Sequence, residues 1–316
     1  MITRRDASSI TADAENALLA ARGLTPADLI AAGTEARVYA LGHDQVLKVY
    51  ADPGQRQALE TIADLYQHFD RSSVPFALPE IRSIEPHGPL LAVTETRLPG
   101  TPMGEALDLN APATEAVYLD AVRDFGGLRL TSPLNRRMLL DPDPAAHADE
   151  DWNSFLLRLL ARKLPTVLPD LRLDVPAVDS ITDRLTDRLA RPYTGPEGCI
   201  HGDLYPDNIL VADGKVSGII DLGTFTLLGD PLYDLAGACA YYRMYDEDRA
   251  AVRNRLLTAA TEDLPADRRD DLAAYLHMIA LLSCDLYPEQ NKYIRDTGHY
   301  QWAADVLNTP TDWRNR

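Results

Sequence analysis

Residues 201–223 constrain this chain more than any other stretch. His201-Gly202-Asp203 is followed by Asn208, which directly precedes the apolar run Ile209-Leu210-Val211. A second run, Gly218-Ile219-Ile220, leads into Asp221-Leu222-Gly223. Between the runs stands Asp213-Gly214, a pair suited to the two-residue turn of a hairpin. Folding the two short legs against each other returns Asp221 to the neighbourhood of Asn208 and Asp203. Two carboxylates and an amide oxygen then converge. These are hard oxygen donors of the kind Mg²⁺ takes. A metal bridging nucleotide phosphates would neutralise charge on a transferring phosphoryl group, and a carboxylate beside it would orient the attacking hydroxyl.

The N-terminal third reads as a small sheet with one prominent helix. Residues 11–32 carry Ala, Leu and Ile at helical spacings and are expected to form a helical lead-in. Residues 33–41 and 46–50 are β-rich runs around Gly42-His43-Asp44, the pattern of a hairpin. Ala58, Ile62, Leu65, Tyr66 and Phe69 form the apolar stripe of a helix over 55–69. Short strands are expected at 79–84 and 89–96, and Leu98-Pro99-Gly100 closes the segment. Beyond Pro102 the pattern is mainly helical. Only four of the 31 basic residues are lysine, and Lys48 sits inside an apolar strand one hairpin after Gly33-Thr34-Glu35-Ala36. An ammonium there suits pairing with phosphate oxygens as a compact point charge.

The motifs His-Gly-Asp-x-x-x-x-Asn, Ile-Ile-Asp-x-Gly and Gly-Asp-Pro-x-Tyr-Asp-Leu-Ala (Gly229 to Ala236) resemble those of the aminoglycoside phosphotransferase and choline kinase group. These are small-molecule kinases of protein-kinase-like fold. The resemblance is close over 201–236 and looser over 33–240. It implies an α+β, bilobal fold with a small β-rich N-lobe and a larger, mainly helical C-lobe. The expected boundaries are a helical extension at 1–24, a nucleotide-binding lobe at 25–99 and a catalytic lobe at 100–316. It implies Asp203 as the catalytic carboxylate, and Asn208 and Asp221 as Mg²⁺ ligands. His201 and Asp234 would brace the catalytic loop. Lys48 would hold the phosphates of ATP or GTP, under a loop containing Gly33 and Thr34. Glu60, the only Glu of its helix, is the candidate partner of Lys48, although it lies nearly opposite the apolar stripe. Gln57 and an unpartnered lysine are the alternatives. Backbone groups around Thr96 to Leu98 would meet the purine. Asp230 before Pro231 reads as a helix N-cap.

Composition narrows the acceptor. The formal charge of −17 disfavours nucleic acid or an anionic membrane as partner. No stretch approaches a membrane span, and three scattered cysteines suit a reducing cytoplasm. Nine residues between Asp221 and Pro231 leave no room for a protein kinase's activation segment. The acceptor is therefore expected to be a small-molecule hydroxyl, an antibiotic such as an aminoglycoside first. A nucleoside or peptide antibiotic, or a metabolite (choline, homoserine, a sugar), is the alternative. A nucleotide-binding pseudokinase is the reading from another class. The acidic loop Asp141–Asp151, Asp246-Glu247-Asp248 and Asp285 would draw in a cation if they ring the site, and otherwise are solvated faces. Tyr241, Tyr242 and Tyr245 are either pocket walls or core.

Overall fold

The computed structural model describes residues 7–33, 35–131, 150–223, 225–286 and 292–309. In chain order the elements are α1 (Ala12–Ala21), β1 (Leu29–Ala32), β2 (Ala36–Leu41), β3 (Gln45–Tyr50) and α2 (Arg56–Gln67). Next come β4 (Phe69–Asp70), β5 (Ile81–His87), β6 (Leu90–Thr96), β7 (Thr101–Pro102), α3 (Met103–Ala106), α4 (Pro112–Gly126) and β8 (Arg129–Leu130). The chain continues through α5 (Trp152–Asp174), α6 (Val178–Leu189), β9 (Gly198–Ile200), β10 (Ile209–Ala212), β11 (Lys215–Ile219) and β12 (Leu227–Gly229). It ends with α7 (Leu232–Tyr241), α8 (Arg249–Thr261), α9 (Ala266–Ser283) and α10 (Gly298–Leu307). Among the described residues, no helix is long and apolar enough to cross a membrane.

The chain divides into two compact units, one rich in sheet and one in helix, so the expected α+β class is borne out. The division is not the contiguous one expected at residue 99. The first unit is Met1–Ala106 with Leu130–Ser132 and Asn208–Thr224, and the remainder is the second. The β10–β11 hairpin joins the first unit because β10 pairs with β7, and Ala77 forms a backbone bridge to Gly218.

In the first unit five strands run in the order β1-β2-β3-β6-β5, each pair antiparallel. Helical structure ends sooner than the expected lead-in over 11–32, since Gly23 takes φ +69° after α1 and residues 29–32 form an edge strand on β2. Side chains alternate across a pleated sheet. Leu47, Val49, Leu90 and Ala92 therefore share one face, where they pack with Leu18 and Leu19 of α1. Burying an aliphatic side chain of that size contributes about 1.5–3 kcal/mol. Residues 7–24 thus belong to the core of the unit and are not an appendage to it. Lys48, Val93 and Glu95 fall on the opposite face by the same alternation.

The second unit is a helical assembly around α7. Leu232 through Ala240 are all buried, as suits a helix that is apolar around its whole circumference. Gly229 enters α7 in contact with the Trp152 indole, where an added Cβ would lie 2.3 Å from the ring. Asp230 does more than cap. Only 1% exposed, it accepts from the Leu232 amide, from Arg268 Nη2 through both carboxylate oxygens, and from the Tyr275 hydroxyl.

Candidate active site

The hairpin around Asp213-Gly214 forms as the sequence requires. Both turn residues take positive φ, 51° and 73°, the geometry that matches the twist of two short strands. Ile209 pairs with Ile219, and the Ile220 amide donates to the Asn208 carbonyl at 2.9 Å. The backbone of Asn208 is thereby held at the hairpin's open end, one residue from Asp221. Gly100 lets the preceding turn approach: at φ +120°, a Cβ there would stand 2.4 Å from Ser217 Oγ and 3.0 Å from the Val211 carbonyl.

Lys48 is the electrostatic centre of the first unit. Its Nζ lies 2.8 Å from Glu95 Oε2 and 3.0 Å from Asp221 Oδ1. The Glu95 contact follows from register. Lys48 is paired with Val93, so Glu95, two residues on, is its diagonal neighbour on the same face, within reach of a long side chain. Burial acts to lower the ammonium's pKa, but the Glu95 and Asp221 carboxylates outweigh it and hold it well above the ordinary value. Lys48 is a fixed cation. Beside it the Tyr66 hydroxyl stands 3.2 Å from the Leu222 carbonyl and 3.4 Å from Glu95 Oε1. Burial first, then the Glu95 charge, push that phenol well above its ordinary range, so it remains a proton donor.

Glu60 is a correction. It lies on the solvent face of α2, half exposed, and pairs with Arg56 one turn back at 2.7 Å. The apolar stripe that binds α2 to the unit turns Glu60 outward, and Glu95 takes its expected place beside Lys48. Glu95 and Tyr66 are the residues that sequence reasoning missed. The strand's alternation carried a signal for the first; the second was read only as part of the apolar stripe.

The other expected nucleotide contacts are distributed around this unit. The Gly33 amide closes a turn onto the Ala36 carbonyl at 2.9 Å, and Thr34 lies outside the described residues. The amides of Thr96 and Arg97 donate to the carbonyls of Glu80 and Asp44, so neither is available to a purine as the chain stands. Leu98 packs against Gly218.

The second unit holds the loop that carries Asp203. Asp234 on α7 accepts from the His201 amide at 2.6 Å and from the Gly202 amide at 2.8 Å, one per carboxylate oxygen. Burial outweighs these two hydrogen bonds and raises its pKa to about 7. The His201 ring accepts from the Asp203 amide through Nδ1 at 3.3 Å and packs edge-on against Phe125. The Tyr118 hydroxyl ties down the Leu204 carbonyl at 2.6 Å. Gly202 has φ +78°, and a Cβ would fall 2.2 Å from the Phe225 carbonyl oxygen, so only glycine fits. The loop is thus fixed by neighbours on both sides of Asp203.

Four of the acidic residues considered for a cation site form ion pairs. Asp246 and Asp248 bind Arg243, Asp285 binds Lys163, and Glu150 binds Arg158. Asp151 caps α5 through the amides of Asn153 and Ser154, and residues 141–149 lie outside the described residues. Tyr242 is core, its hydroxyl donating to Leu109, whereas Tyr241 stacks on Tyr205 at 6.0 Å, just beyond Asp203 in sequence. Tyr245 is 62% exposed, its hydroxyl 3.1 Å from His299 Nδ1. All three cysteines are buried free thiols, with burial pushing Cys239 and Cys284 up to about 12.

A sheet unit with a strand-borne lysine tied to the carboxylate that follows a short hairpin, together with a helical unit carrying a braced His-Gly-Asp loop, defines the protein-kinase-like class. The chain matches the phosphotransferase enzyme family over residues 27–271, and it belongs to that family. Among solved structures it resembles aminoglycoside phosphotransferase APH(4)-Ia, with a TM-score of 0.66 at 19% identity, covering 94% of this chain and 97% of the other. A thermostable mutant of that enzyme in ternary complex with AMP-PNP and hygromycin B gives 0.65 at 19% identity, covering 93% and 96%. ADP-bound APH(2'')-Ib gives 0.57 at 12%, covering 96% and 99%. At these identities the likeness is one of fold. Among sequences, homoserine kinase of Gluconacetobacter diazotrophicus is 42% identical over 71 residues, 22% of each protein. That of Rhodopseudomonas palustris strain CGA009 is 37% identical over 81 residues, 25% of this chain and 24% of its own. The chain therefore matches less than a quarter of the length of either curated relative.

Proposed function

We propose that the protein is an O-phosphotransferase that moves the γ-phosphoryl group of ATP or GTP to a hydroxyl of a small molecule. The observation that carries this reading is Lys48, held between Glu95 and Asp221 at 2.8 and 3.0 Å, with Asn208 beside Asp221 at the open end of the hairpin. In this reading Lys48 pairs with phosphate oxygens, Gly33 and Thr34 belong to the loop over them, and the segment Thr96 to Leu98 meets the purine through its remaining backbone groups.

Asn208 and Asp221 supply one amide and one carboxylate oxygen, a donor set that fits Mg²⁺. Among the described residues no cluster of three or more His, Cys, Asp or Glu could hold a metal ion, as suits an ion that completes its shell with phosphate oxygens and water. Bound there, Mg²⁺ would neutralise charge on the phosphates. Asp203 orients the acceptor hydroxyl and accepts its proton. His201 and Asp234 keep that carboxylate in one place, which makes positioning and electrostatics the main sources of rate. The three free thiols support the reducing, cytoplasmic reading.

For the acceptor, the fold of the aminoglycoside phosphotransferases supports an antibiotic hydroxyl, such as that of an aminoglycoside. A second reading, a hydroxylated metabolite such as homoserine, is favoured by the local sequence likeness to the two homoserine kinases. The test is mass spectrometry on a panel of aminoglycosides, nucleoside and peptide antibiotics, choline, homoserine and sugars. Each is incubated with Mg²⁺ and ATP plus GTP, with Asp203→Asn as control. A phosphate mass gain that falls at least about 100-fold in the control is expected. Undiminished product with Asp203→Asn would refute its role, and nucleotide binding that ignores Mg²⁺, with no product from any compound, would favour the pseudokinase reading.

A further inference from the structure

We propose that Tyr66 is a positioning residue of the nucleotide and metal site, an inference that rests on the phosphotransferase reading above. Five groups of the first unit close into a ring. Lys48 Nζ meets Glu95 Oε2 at 2.8 Å, and the other Glu95 oxygen faces the Tyr66 hydroxyl at 3.4 Å. That hydroxyl stands 3.2 Å from the Leu222 carbonyl. Leu222 is covalently next to Asp221, whose Oδ1 accepts from Lys48 at 3.0 Å. The two groups assigned to phosphate and metal are thus linked twice, once directly and once around through Tyr66.

The second link acts on backbone. Asp221 has φ +65°, a left-handed conformation that a non-glycine residue holds only when its surroundings favour it. Tyr66 is buried to 2% on α2, a helix anchored by Leu59, Ile62 and Leu65. Its hydroxyl therefore gives the Leu222 carbonyl a rigid donor beside that strained residue. In this chain α2 acts on the site through a phenol, and the sheet supplies the carboxylate for Lys48. A phenol has one proton for two acceptors. Removing it loosens the Leu222–Gly223 peptide, one residue beyond Asp221, while leaving the Lys48–Glu95 pair intact.

Tyr66→Phe tests this, because it keeps the ring and deletes only the hydroxyl. In the nucleotide-free protein, hydrogen exchange across 220–223 should quicken about three- to tenfold, with β2 and β3 unchanged. By calorimetry with an unhydrolysable ATP analogue, the Mg²⁺ concentration giving half-maximal nucleotide affinity should rise by a similar factor, while affinity without Mg²⁺ stays within about twofold. Glu95→Gln should do the reverse, weakening affinity without Mg²⁺ more than it shifts the metal midpoint. A merely structural tyrosine would lower the melting temperature and leave the metal midpoint where it was, which would overturn the proposal. A wild-type protein whose nucleotide affinity ignores Mg²⁺ would instead overturn the phosphotransferase reading, and this proposal with it.

Discussion

Replacing Lys48 by methionine separates what this residue does for stability from what it does for function. The Lys48 and Glu95 side chains are 13% and 5% exposed and 2.8 Å apart. Removing one partner of a buried pair typically costs about 3–5 kcal/mol, because the other charge is left uncompensated. Protonation sets a ceiling. A glutamic acid of ordinary pKa near 4.3 takes up a proton at pH 7 for about 3.7 kcal/mol, and this falls by about 1.4 kcal/mol for each pH unit below. Asp221, 60% exposed, adds little because solvent screens it. In the variant the folded state favours the protonated carboxyl more than the unfolded chain does. Stability is therefore retained at low pH and lost as pH rises. Urea unfolding of wild type and Lys48→Met at pH 5, 6 and 7 should give a gap widening from about 1 to about 4 kcal/mol. Adding Glu95→Gln to Lys48→Met should recover most of the stability and none of the nucleotide affinity. A gap below about 1 kcal/mol at pH 7, or one flat with pH, would refute the reasoning.

Two further outcomes follow from the loop that carries Asp203. Gly202→Ala combines a left-handed φ, worth about 1–2 kcal/mol, with a backbone clash at Phe225, and should cost more than about 3 kcal/mol. Gly88→Ala, at φ +57° in open space, should cost only the first part, and equal melting temperatures for the two variants would show the clash to be unreal. Asp234, with its pKa raised to about 7, contributes stability that is present below about pH 4 and lost as pH climbs to 7, on the order of 4 kcal/mol at most. Asp234→Asn should abolish that slope. A difference between wild type and variant that is constant over pH 4–7 would count against a titrating Asp234.

The segment 201–223 was legible because its chemistry is local. The Asp213-Gly214 turn and two apolar legs fix a hairpin by themselves, and with it the return of Asp221 to Asn208. Spacing within short elements likewise announced the β2–β3 hairpin, α2, and Lys48 on an apolar strand. The choice of Lys48's partner was not local. Glu60 and Glu95 stand 12 and 47 residues from Lys48, and sequence distance favours the nearer. Only strand pairing puts Glu95 on the lysine's face, while the packing of α2 turns Glu60 to solvent. The same holds for charge. The −17 balance says how many carboxylates there are, but which remain open to a ligand depends on the arginines and lysines that the fold brings to them. Asp285 is answered by Lys163, 122 residues away in sequence, whereas Asp246 and Asp248 bind Arg243 only three and five residues back. Motif spacing determined the chemistry this chain is built around. Tertiary structure decided which side chains serve it, because long polar groups find their partners through sheet register and helix facing.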